Sequence, residues 1–95
     1  MASHIRIPTP LRKLTGGKAE VDATGASIRE VFEDLDSHYG GLKEKVFDDT
    51  GEIRRFIIVS LNGEDVRYLD GPDTPVKAGD EITIVPAIAG GTSWR

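Results

Sequence analysis

Ser27-Ile28-Arg29-Glu30-Val31-Phe32-Glu33-Asp34-Leu35-Asp36-Ser37-His38-Tyr39-Gly40-Gly41 is the most plainly patterned stretch of the chain. Ile28, Val31, Phe32, Leu35 and Tyr39 recur at helical spacing, while Arg29, Glu30, Glu33, Asp34, Asp36 and Ser37 take the other face. Ser27 followed three residues later by Glu30 is a capping box, in which hydroxyl and carboxylate satisfy the free amides at the helix start reciprocally. Gly40-Gly41 stops the helix, one glycine being suited to the left-handed residue after the last turn. The stripe reads as core, with no cofactor role.

Strand patterns lie on both sides of this helix. Upstream, His4-Ile5-Arg6-Ile7 alternates, so Ile5 and Ile7 face a core and His4 and Arg6 face water. Pro8 and Pro10 bracket Thr9 and stop that strand, Leu11 and Leu14 fold back as core cover, and Gly16-Gly17 turns the chain. Lys18-Ala19-Glu20-Val21-Asp22 then reads as the second strand of a hairpin. Downstream, Leu42, Val46 and Phe47 space a short helical or irregular piece, and Asp48-Asp49-Thr50-Gly51-Glu52 forms a solvated turn. With Glu44 these acids suggest a calcium loop only superficially, since the alternating ligand spacing and closing glutamate are missing.

Phe56-Ile57-Ile58-Val59-Ser60-Leu61 is short, apolar and β-branched, which predicts a central strand covered on both faces or nearly so. Asn62-Gly63 is a strong hairpin turn, although Glu64-Asp65 after it widens the expected loop. Val66-Arg67-Tyr68-Leu69 reads as a short edge strand and Gly71-Pro72-Asp73-Thr74-Pro75 as a turn. Val76-Lys77-Ala78-Gly79-Asp80 leads into Glu81-Ile82-Thr83-Ile84-Val85, which places Ile82 and Ile84 inward. The order strand, strand, helix, strand, short strand, strand predicts an α+β fold, a mixed sheet of about five strands packed on one main helix.

Composition limits what such a body does. Ninety-five residues make one domain with one core, burying roughly 60 to 70% of the surface its unfolded chain exposes. The expected division is a folded domain over residues 1–88 and a flexible tail over 89–95. There is no apolar run long enough to cross a membrane, and Met1-Ala2-Ser3-His4 does not resemble a signal peptide, so the expected location is cytoplasmic. The absence of cysteine removes disulfides, zinc-thiolate sites and a thiol nucleophile together. A net charge of -4 argues against nucleic acid or an anionic membrane as main partner, since both demand a basic face. Two histidines, His4 and His38, have no evident serine or carboxylate constellation in sequence, so an enzyme in its own right is disfavoured. No bound cofactor and no metal is expected.

What remains is the end of the chain, Val85-Pro86-Ala87-Ile88-Ala89-Gly90-Gly91. Pro86 donates no ladder hydrogen bond and marks an exit from the sheet. Beyond it the chain carries only Ile88 and small residues, thin enough to thread a narrow enzyme channel. Such a Gly-Gly tail suits chemistry on its own carboxyl group.

Several stretches also resemble the ubiquitin-like sulfur carriers of the ThiS/MoaD type. They are Ile7-Pro8-Thr9-Pro10-Leu11-Arg12 with Thr15-Gly16-Gly17, the Leu61-Asn62-Gly63-Glu64-Asp65-Val66-Arg67 turn, Lys77-Ala78-Gly79-Asp80-Glu81, and Pro86-Ala87-Ile88-Ala89-Gly90-Gly91. The resemblance runs from Ile5 to Gly91 and is strongest to the branch serving cysteine synthesis. It implies a ubiquitin-like β-grasp fold. It also implies that the Gly91 carboxyl is adenylated at the expense of ATP by an enzyme related to ubiquitin-activating enzymes, with Gly90 supplying the thin approach and Val85, Pro86, Ile88 and Ala89 as partner contacts. Sulfur then replaces AMP, and the thiocarboxylate donates sulfur to a synthase making cysteine, thiamine, molybdopterin or a specialised metabolite. The chain departs from the pattern at Thr92-Ser93-Trp94-Arg95. With Gly91 in peptide linkage to Thr92 there is no carboxylate to activate, so cleavage between Gly91 and Thr92 is expected, the implied trimmer being a metalloprotease related to deubiquitinating enzymes. Three other readings share the fold: a protein modifier joined through Gly91 to lysine, the small subunit of molybdopterin synthase, and a plain interaction module that tolerates loss of Gly91.

Overall fold

The computed structural model describes residues 2–86. Five strands form one mixed sheet: β1 (Ser3–Arg6), β2 (Glu20–Ala23), β3 (Ile57–Leu61), β4 (Glu64–Asp65) and β5 (Glu81–Pro86). Their spatial order is β2-β1-β5-β3-β4. β1 and β5 run parallel, with Ile5 beside Ile82, and the other neighbours are antiparallel. Two helices, α1 (Ile28–His38) and α2 (Leu42–Val46), accompany the sheet. Their buried side chains, Ile28, Val31, Phe32, Leu35, Leu42 and Val46, join Ile5, Val59, Ile82 and Ile84 of the strands in one core. The predicted two-layer α+β arrangement, a ubiquitin-like β-grasp, is the fold observed.

Local chemistry explains the elements. The Ser27 hydroxyl accepts the Glu30 N–H at 3.3 Å, as a cap should, but the return limb of the expected capping box is shifted. Glu30 Oε1 accepts from the Ala26 N–H at 3.0 Å instead of from Ser27. A segment lies alongside this helix start: Ser27 bridges Pro75, Ile28 donates to the Thr74 carbonyl, and Val76 donates to the Ala26 carbonyl. α1 ends at His38, and the left-handed residue is Gly41 (φ 94°), whose N–H is held by Asp36 Oδ1 at 3.1 Å. Gly41 thus turns the chain directly into α2. Thr9–Thr15 forms a short 3-10 turn and carries Leu11 and Leu14 onto the core edge, as expected.

Two readings of the second half need correction. β3 lies inside the sheet between β5 and β4, with β5 the middle strand, but β3 is not covered on both faces. Ile57 and Val59 are buried, but Ile58 and Ser60 are half-buried, because helices cover only one face of the sheet. A run of β-branched residues reads as covered on both sides whether or not its second face is open. The expected edge strand Val66-Arg67-Tyr68-Leu69 is likewise absent. The edge strand is the two-residue β4, reached by a tight Asn62-Gly63 turn with φ of 51° and 91° and with Leu61 facing Glu64. Glu64-Asp65 therefore does not widen the loop. Asp65 Oδ1 then accepts the Arg67 N–H at 2.9 Å, capping a 3-10 turn over Val66–Tyr68 that buries Val66 completely.

Asn62 also ties this turn to the start of β5. Its side chain accepts from the Glu81 N–H at 2.9 Å and donates to Asp80 Oδ1 at 3.1 Å. Asp80 Oδ2 accepts the Lys77 N–H at 2.8 Å, and this amide, with Asn62 second, lowers the Asp80 carboxyl below its ordinary range. In the Asp48 turn one oxygen accepts from the Thr50 hydroxyl, the Thr50 N–H and the Glu52 N–H. That carboxylate closes the backbone turn, and its pKa is lowered chiefly by the Thr50 hydroxyl.

Candidate functional site at the end of the central strand

β5 is anchored on both sides over its first half and on one side over its second. Its pairing with β1 stops at Thr83, whereas its pairing with β3 continues through Val85 beside Ile58 and Pro86 beside Ile57. Ile82 and Ile84 root the strand in the core, at 0 and 2% exposure. Pro86 thus stands where a rigid central strand outruns one neighbour, the exit that its missing N–H suggested. Val85 projects from the open face at 41% exposure, and Pro86 is half-buried.

Of the candidate site residues, the structure places Val85 and Pro86 together at this exit. Ile88, Ala89, Gly90, Gly91 and Thr92 lie outside the described residues, as does the expected boundary between residues 88 and 89. Phe56, immediately before β3 and so next to the Ile57–Pro86 pair at the exit, is 47% exposed, and the sequence reading did not single it out; Tyr68, the last residue of the 3-10 turn, and Leu69 after it are also exposed, at 88 and 41%. Phe56 was hidden by the apolar run that follows it. Tyr68 and Leu69 were hidden because the expected strand made them members of an alternating pair; the available signal was Asp65 as a cap residue.

Neither histidine belongs to a catalytic arrangement. A Ser-His-Asp triad places the serine at one imidazole nitrogen and the carboxylate at the other. At His38 the Ser37 hydroxyl lies 3.4 Å and Asp34 Oδ1 3.8 Å from the same atom, Nδ1. The Ser37 hydroxyl moreover donates to the Asp34 carbonyl at 2.7 Å. His4 has both nitrogens engaged by carboxylates of β2, Nε2 with Glu20 at 2.8 Å and Nδ1 with Asp22 at 3.1 Å. Next to it Arg6 Nε donates to Glu81 at 2.9 Å. This part of the open sheet face is a self-satisfied charged ladder. Among the described residues no cluster of three or more histidines and acids could hold a metal ion, and no helix is long and apolar enough to cross a membrane.

The His4 pairing sets a pH dependence. Hydrogen bonds to Asp22 first and Glu20 second raise its pKa above the ordinary 6.5. A raised value means that the folded chain holds the proton more tightly than the unfolded chain. The contribution is therefore complete below the ordinary value and is lost as pH rises through the raised one. Urea midpoints measured from about pH 5.5 to about pH 8.5 should fall modestly, because the pair is solvent-screened. His4→Gln should flatten that slope; an unchanged slope would show that the two carboxylates do not hold the proton.

A model of the ThiS family matches residues 5–91. The sulfur carrier protein CysO of Mycobacterium tuberculosis is 42% identical over 89 residues, covering 92% of this chain and 96% of that protein. The small archaeal modifier protein 3 of Haloferax volcanii is 32% identical, covering 96% of this chain and 100% of that protein. Among solved structures, the BexX/CysO complex of Amycolatopsis orientalis contains a similar chain with a TM-score of 0.90 and 43% identity, covering 95% of this chain and 100% of that one.

Proposed function

The chain belongs to the ThiS family, and from that premise we propose that it is a sulfur carrier in cysteine biosynthesis or that of another sulfur-containing metabolite, a co-substrate and not an enzyme. The observation that supports this best is the 42% identity to a sulfur carrier protein across nearly the whole chain, together with a family match that runs through Gly90 and Gly91. The working group is the Gly91 carboxyl. No cofactor is held; ATP is consumed by an activating partner related to ubiquitin-activating enzymes.

The chemistry follows from the reactivity of a carboxylate. Its oxygen attacks the α-phosphorus of ATP, pyrophosphate leaves, and Gly91 becomes an acyl adenylate. A sulfide equivalent adds to the acyl carbon, and the carbon–oxygen bond to AMP breaks. The resulting thiocarboxylate is a soft nucleophile whose sulfur bonds to an electrophilic carbon held by a synthase; water then cleaves the acyl–sulfur bond, leaving sulfur on the acceptor and restoring the Gly91 carboxylate. A chain without cysteine offers no internal thiol to intercept the acyl adenylate. Val85 and Pro86 sit on a strand paired with β3 through its last residue; Ile88 and Ala89 are assigned to the partner's channel.

Gly91 is followed by Thr92, so activation requires prior cleavage of that bond, which we assign to a metalloprotease. We place all these steps in the cytoplasm. A second reading, conjugation of Gly91 to lysine, is favoured by the 32% identity to an archaeal modifier protein. Intact mass spectrometry after incubation with host extract, ATP and sulfide separates the two. Loss of Thr92-Ser93-Trp94-Arg95 followed by the gain for one oxygen replaced by sulfur is the expected result. Conjugates of higher mass without that gain would replace the carrier reading by the modifier one.

A further inference from the structure

Asn62 is the only asparagine of the chain, and glutamine is absent, so the sequence holds a single side-chain amide. Gly63 follows it, and a residue without Cβ leaves its own nitrogen unshielded. At such a pair the Gly63 nitrogen can bond to Asn62 Cγ and give up its proton; the Cγ–Nδ2 bond breaks, ammonia leaves, and a five-membered succinimide closes. Water then opens the ring at one of its two carbon–nitrogen bonds. Opening at Cγ leaves aspartate, and opening at the main-chain carbon leaves isoaspartate, with the chain rerouted through the side chain. Both residues are exposed. Apart from chain neighbours, nothing among the described residues lies within 4 Å of where a Cβ on Gly63 would stand. Water and the turn's own atoms are therefore all that the reaction needs.

The closed turn keeps the reacting atoms apart. Asn62 has φ 51°, in the left-handed well, where the bond to the next nitrogen points away from Cβ. Ring closure requires that bond to swing round to the Cβ side. The side chain is held as well: Oδ1 accepts the Glu81 N–H at 2.9 Å and Nδ2 donates to Asp80 Oδ1 at 3.1 Å. The Asn62 N–H donates to the Glu81 carbonyl at 2.8 Å, and Asp80 is itself fixed by the Lys77 N–H. Attack therefore needs the turn to open and both side-chain bonds to break in one excursion. Afterwards the turn cannot close as before. Aspartate at position 62 has no N–H for Asp80 and sets a second carboxylate against it. Isoaspartate adds a methylene to a turn built for two residues.

We propose that Asn62-Gly63 is a modification site at which ammonia is lost through a succinimide, that the contacts with Asp80 and Glu81 hold the reaction off while the turn is closed, and that conversion unlatches the β3–β4 turn from the start of β5. The rate is set by the population of the open turn and not by the exposure of the pair. Leu61 faces Ile82, whereas Ile57 faces Pro86, so the site lies at the end of β5 remote from the exit. Conversion ages the folded body without touching the residues that lead to Gly91, and it stands independently of the carrier reading.

The test incubates the full chain in mildly alkaline buffer, folded and in concentrated urea at one temperature. Loss of the single amide is read by intact mass and assigned to aspartate or isoaspartate by peptide mapping. It should be at least about tenfold slower in the folded chain, where it waits on local opening. Asp80→Ala removes one arm of the clamp and should speed amide loss in the folded chain about tenfold while leaving the rate in urea unchanged. Deuterium exchange of the Glu81 N–H, which the other arm holds, should speed with it. Asp80 also accepts from Lys77, so circular dichroism checks that the variant is folded. Asp48→Ala, which frees a comparable set of amides in the turn after α2, should stay within about twofold. A measurement without any variant compares converted with unconverted chain after ion exchange, and the Glu81 N–H should exchange faster in the converted form. No amide loss in urea overturns the site. Equal rates folded and in urea, or an unchanged rate in folded Asp80→Ala, overturn the clamp, and equal Glu81 exchange in the two forms overturns the unlatching.

Discussion

Phe32→Ala is expected to lower the stability of the fold by about 3 to 5 kcal/mol. Phe32 is 0% exposed and, among the described residues, is the largest fully buried side chain. It occupies the middle of the α1 stripe, and its ring meets that of Phe47 edge to face, with centroids 5.4 Å apart and planes at 79°. Truncation removes the ring's burial and leaves a cavity between α1 and the segment after α2. It also removes the aromatic pair, worth about 0.5 to 1.5 kcal/mol beyond area. A domain of this size has only about 5 to 15 kcal/mol to lose, so a large fraction of Phe32→Ala chains should be unfolded at modest urea concentrations. Urea titration followed by far-ultraviolet circular dichroism reads the change. A loss under about 1.5 kcal/mol would mean that α2 collapses into the space. Combining the substitution with Phe47→Ala distinguishes the cases, since two side chains sharing one contact should cost less together than the sum of their separate losses.

How much was legible follows from which forces are local. Ser27, the Ile28 to Leu35 stripe and Gly41 act within a few residues, and the helix came out where its pattern put it. Alternation in Ile5 and Ile7, and in Ile82 and Ile84, identified the inward faces without naming partners, because a strand shows its period whatever it pairs with. The strand order was not legible in the same way. Placing β5 between β1 and β3 depends on pairings between residues far apart in sequence, such as Ile5 with Ile82. The Val66 to Leu69 misreading has a local cause: an aspartate accepting from an amide two residues on competes with the ladder, and burial of Val66 from a turn supplies what a longer strand would have supplied. At the candidate site, Pro86 announced the exit by chemistry that any proline carries. Phe56 became visible only once register showed its neighbour Ile57 beside Pro86, because exposure is a property of the assembled sheet.

The largest functional effect should come from one peptide bond. A purified chain ending at Gly91 should support ATP–pyrophosphate exchange with its adenylating enzyme, and the chain ending at Arg95 should support none, in the same assay with no protease present. The difference is one of valence before it is one of fit. A terminal carboxylate carries a charged oxygen that can attack phosphorus; the Gly91 carbonyl in amide linkage to Thr92 carries none, and its nitrogen lone pair is delocalised into the carbonyl. Steric crowding alone would slow exchange by a finite factor that higher carrier concentrations would recover. Loss of the nucleophile leaves kcat at background whatever the concentration, so titrating the longer chain separates the two causes. Residual binding should persist, because Val85, Pro86 and the folded body are present in both chains, and the longer chain should therefore inhibit exchange by the shorter one. Exchange by both chains at equal rates would place the reacting group away from Gly91. Exchange by the shorter chain with no inhibition by the longer would mean that the enzyme reads the free terminus before it reads the folded body.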